Sequence, residues 1–124
     1  MFTIMALLAM QASAQTEALA RRVGADAELK GRIEQGLKPL LQCSRSAIEQ
    51  YIASKGEQAL AKDGKTLSEA IVHAGGECVT NERVAEVSGK IRSAMPDADK
   101  ASADAVARSM LLTYAAYAIM SDGD

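Results

Sequence analysis

Apolar residues recur along most of this chain at intervals of three and four, and no stretch sustains the Val/Ile/Thr alternation of a strand. Leu19 and Val23 follow Thr16, whose hydroxyl suits the capping position of a short first helix, and Gly24 closes that segment. Asp26 stands where it can cap a second helix, with Leu29 and Ile33 on one side, before Gly36 and Pro39 interrupt it. Proline lacks the N–H that a first turn leaves unpaired, so a third helix is expected from Pro39 to Ser54. It carries Leu40, Leu41, Ala47, Ile48, Tyr51 and Ile52 on one apolar face.

Residues 54–65, SKGEQALAKDGK, read as a connection. Thr66 to Glu69, TLSE, has the form of a capping box and starts a short helix through Ile71 and Val72, which Gly75-Gly76 is expected to stop. Thr80 caps the next, where Val84, Val87, Ile91 and Met95 repeat at helical spacing until Pro96. The last helix is apolar or aromatic from Met110 to Met120 at every position except Thr113. Ala103, Val106, Met110, Leu111, Tyr114 and Ala118 make its inward stripe, while Leu112 and Ile119 project from the opposite side and need cover, from other helices or from a partner. Glu28/Arg32, Glu34/Lys38, Glu86/Lys90 and Asp104/Arg108 place an acid four residues ahead of a base, which supports the helices. The fold class is therefore all-α, a small bundle of four to six short helices.

The N-terminal run Phe2 to Met10 is uncharged and apolar, too short to span a bilayer but of the length of a secretory core segment. Ala12-Ser13-Ala14 follows with the small-x-small pattern that a signal peptidase accepts, although no Lys or Arg precedes the run. Residues 1–14 are read as a cleavable signal peptide and 15–124 as a single helical domain, exported to the periplasm or secreted. The competing reading is a first core helix that buries Phe2, Met5 and Leu8. The 14 basic and 16 acidic residues are interspersed, and with three Tyr and no Trp neither a basic face nor a stacking platform for nucleic acid is visible. The eleven-residue segment Met110–Met120 cannot cross a bilayer, so no stable membrane insertion is expected.

Export changes the meaning of the cysteines. In an oxidising compartment the single pair, Cys43 and Cys78, is expected to form a disulfide that staples the bundle. The same Cys78 lies five residues after His73, the only histidine, in HAGGEC, so a thiol nucleophile paired with an imidazole is the enzymatic alternative. The spacings of zinc, haem and phosphate-loop motifs are missing, so neither metal nor cofactor is expected. In outline the architecture resembles small exported helical proteins with one disulfide, such as periplasmic acid-stress chaperones and inhibitor or immunity proteins, without sharing a motif with them. The sequence thus favours a non-catalytic protein that acts through a protein partner or self-association, with Leu112, Tyr114, Tyr117 and Ile119 as the partner-binding residues. The alternatives are the Cys78/His73 enzyme and a carrier of a small apolar ligand in the bundle core.

Overall fold

A chain rich in alanine and poor in proline has few reasons to leave the helix, and the computed structural model is helical almost throughout. It describes residues 2–55 and 65–118, with the backbone alone at 2–13, 65 and 66. Among the described residues there are six α-helices and no strand: α1 (Phe2–Ala25), α2 (Ala27–Gln35), α3 (Lys38–Lys55), α4 (Lys65–Cys78), α5 (Asn81–Ala94) and α6 (Lys100–Ala116). None is long and apolar enough to cross a membrane among those residues.

The breaks sit where the side chains can satisfy free helix ends. Asp26 accepts from the Leu29 N–H at 3.0 Å and Thr80 from Arg83 N–H at 3.2 Å, both from extended backbone. Asp99 caps α6 in the same way, through Ser102 N–H at 3.0 Å. Pro39 occupies the first turn of α3. Met95, ahead of Pro96, leaves the helical region with φ −132° and ψ 77°, as a residue preceding proline must.

Two expected boundaries are corrected. Thr16 lies inside α1 rather than at its start, because a helix already formed over an Ala-, Leu- and Met-rich run extends without a new nucleation step. Gly75-Gly76 does not stop α4, which continues to Cys78. Ala70, Ala74 and Cys78 are fully buried at successive turns, and only continued helix keeps Cys78 on that inward row. Gly75 also sits where a Cβ would stand 3.0 Å from Leu112 Cδ2, so the absent side chain lets α4 and α6 approach.

Cross-helix contacts run in antiparallel order, Cys43 to Cys78 and Tyr51 to Glu69 between α3 and α4, Asn81 to Arg108 and Ser88 to Asp104 between α5 and α6. α3 packs on α4 and α5 on α6, while α6 also lies against α1, α3 and α4, and α2 against α1 and α5. The core is led by Ile33, Leu40, Ile48, Ile91 and Leu111, with fully buried alanines on α4 (Ala70, Ala74) and α6 (Ala103, Ala107). Ser44 is buried among them and donates its hydroxyl to the Ala115 carbonyl at 2.7 Å; Arg45 donates to the Ala118 carbonyl at 3.1 Å. Thus α3 donates to carbonyls at and just beyond the end of α6.

Of the four expected charge pairs, Glu28 and Arg32 meet at 2.6 Å. Asp104 instead takes Lys100 at 2.9 Å, leaving Arg108 to donate to Asn81 Oδ1 at 3.0 Å. Glu34 accepts from the Tyr114 hydroxyl at 3.3 Å, and Lys90 donates to the Arg32 carbonyl at 3.3 Å. Exposed ion pairs are weak enough for neighbouring elements to redirect them.

Candidate functional site

The central position of α6 covers one side of it and leaves the other open. Ala103, Val106, Leu111 and Ala118 are buried, in line with the expected inward stripe. On the outer side Leu112 is 44% and Tyr117 60% exposed, and they border an open groove of about 600 Å³ with Ala105, Ser109, Thr113 and Ala116. Among the described residues Arg108 is the single charge on this lining, and its guanidinium is held by Asn81. Small residues thus form a shallow channel with a large apolar side chain and a ring at its rim. Val72, on α4, is a surface hydrophobic, 76% exposed.

The structure separates the proposed partner-binding residues. Leu112 and Tyr117 share the groove, whereas half-buried Tyr114 turns to α2, where burial and then the Glu34 carboxylate raise its phenol above the ordinary tyrosine value. Residues two apart on a helix are roughly 200° apart, so helical phase alone distinguishes Tyr114 from Leu112. Ile119 lies outside the described residues.

Cys43 and Cys78 are bonded, with the sulfurs 2.07 Å and the Cα atoms 5.8 Å apart. Cys78 is fully buried, and neither sulfur is a thiol in this state. His73 faces elsewhere: five residues of helix turn through roughly 500°, which leaves it about 140° around α4 from Cys78. Its Nε2 is 3.1 Å from Glu77 Oε1, and its ring lies 5.2 Å from that of Tyr51 on α3. The Tyr51 hydroxyl donates to Glu69 at 3.2 Å, and burial followed by this carboxylate raises the phenol's value. Cys78 and His73 are therefore parts of two different contacts between α3 and α4, one covalent and buried, the other polar and exposed.

No three acidic, histidine or cysteine side chains among the described residues are grouped as a metal site would need. The chain matches no family model, no curated protein and no solved structure.

Proposed function

We propose that this chain is an exported, non-catalytic helical protein that works through protein–protein contact at the outer face of α6. The observation that carries the reading is the pairing of Leu112 and Tyr117 along one open, nearly uncharged groove. A large exposed aliphatic and a ring beside small residues suit a docking anchor, since aromatic side chains give much contact area for little lost freedom. Export is supported by the Ala12-Ser13-Ala14 pattern and by the disulfide, which persists in oxidising compartments.

A photoreactive residue placed at 112 or 117 in the exporting host tests the surface, with exposed Ser93 on α5 as the control position. One adduct of defined mass at both sites and none at 93 is the expected result; equal labelling at 93, or no adduct at 112 and 117, overturns it. The intact mass of the recovered protein reads processing separately, because a chain beginning at Gln15 supports export and a full-length cytoplasmic chain removes it.

A further inference from the structure

A second opening, of about 400 Å³, lies between α1, the first turn of α2 and α6. Ala20 and Val23 of α1 and Val106 and Met110 of α6 give it an apolar lining. Gly24 completes the wall, and nothing lies within 4 Å of the place a Cβ would occupy there, so the space continues to the backbone. From α2, half-buried Lys30 reaches the same opening.

Among the described residues Lys30, unlike exposed Arg21, combines a missing charge partner with partial burial. Arg22 is held by Asp97 at 2.7 Å, Arg32 by Glu28 and Lys100 by Asp104, yet among the described residues the Lys30 ammonium has neither an ion pair nor a hydrogen-bond acceptor. An apolar cleft with one unpaired, half-buried cation is complementary to a molecule that is aliphatic at one end and anionic at the other.

We propose that this cleft binds a free fatty acid, with the chain against Ala20 and Met110, above the buried Val23 and Val106, and the carboxylate on Lys30. The volume is near the lower end of the range for ligand sites, which suits one acyl chain rather than the two of a membrane lipid. Glu17 lines the cleft seven residues before Gly24, about 10 Å along α1, and its carboxylate disfavours a second acidic group at that end. The cleft adjoins the α6 groove, Ser109 lining both, but its ligand chemistry is argued from Lys30 and the apolar wall alone.

The test is calorimetric titration of the folded protein with decanoate, decanol and decyltrimethylammonium, each kept below its micelle concentration. Decanoate is expected to bind one to one, with decanol about tenfold weaker and the cation weaker still, since an interaction with a charged partner exceeds a neutral one by about that factor. Lys30→Gln should bring decanoate down to the level of decanol. Filling the cleft by Gly24→Leu, or from its exposed rim by Ala20→Trp should the first variant not fold, should abolish binding of both. The Met110 methyl resonance should move on adding decanoate and stay in place for the filled variant. Equal affinity for decanoate and decanol, an unchanged Lys30→Gln variant, an unmoved Met110 methyl, or absence of one-to-one binding would each overturn the proposal.

Discussion

Two adjacent glycines in α4 make opposite demands. Gly76 is exposed with open space where its Cβ would be, so Gly76→Ala removes the flexibility of glycine from a helix without a steric cost and should stabilise the fold by about 0.5–1 kcal/mol. For a chain of this size that is roughly 2–6 °C in melting temperature. Gly75→Ala must push Leu112 Cδ2 outward first, and a calorimetric comparison should show a smaller gain than at Gly76 or a loss. Ser44 is the other decisive single residue. Ser44→Ala removes the donor to the buried Ala115 carbonyl and should cost about 1–3 kcal/mol by urea titration, far more than serine to alanine at exposed Ser93. The partner of Ser44, 71 residues away, is visible only in the packed structure.

At the level of elements, the bond between Cys43 and Cys78 joins α3 to the last turn of α4 across a sequence separation of 35. A loop of that length gives roughly 3.5–4 kcal/mol in the chain-entropy relation, so Cys43→Ser and Cys78→Ser should lose similar stability and melt on the order of 10 °C or more lower. Neither cysteine should take up an alkylating agent in the native, unreduced protein. The helix junctions also set a pH response. Arg22 holds the Asp97 carboxyl below its ordinary value, the Ser102 N–H does so for Asp99, and Lys100 and then Ser88 for Asp104. A depressed carboxyl stabilises the fold above the unfolded value near 4 and loses that contribution as pH falls through the folded value. Tyr51 and Tyr114 act at the other end: burial raises them first, then Glu69 and Glu34, so their contribution is complete below about pH 10 and is lost as pH rises through their folded values. Urea midpoints should form a plateau between about pH 5 and 9, with acid loss reduced in Asp97→Asn; an unchanged acid limb in that variant would assign the loss to other groups.

For the whole molecule, the arrangement of α6 decides which apolar residues are core and which are surface. Tyr117→Lys should leave the melting temperature within about 2 °C of the parent, since the site is exposed, and Leu112→Lys should cost more because Leu112 Cδ2 also packs beside Gly75, whereas Leu111→Lys should prevent folding by burying an unpaired charge. A collapse of the Tyr117→Lys variant would show that the outer face is covered. The helical class, the caps at Asp26 and Thr80, the start of α3 and the cysteine pairing were legible because each depends on spacing within a turn or on a pair with one possible connection. The continuation of α4 through Gly75-Gly76 was not, because local propensity opposes it and the burial of Ala74 and Cys78, with Gly75 set against Leu112 of α6, outweighs that cost. The open groove on α6, the turn of Tyr114 towards Glu34 and the cleft beside Lys30 depend on which helices stand next to one another. Periodicity tells each helix which side is apolar, but only the packed neighbours determine how much of that side they cover, and therefore what remains for a partner or a ligand.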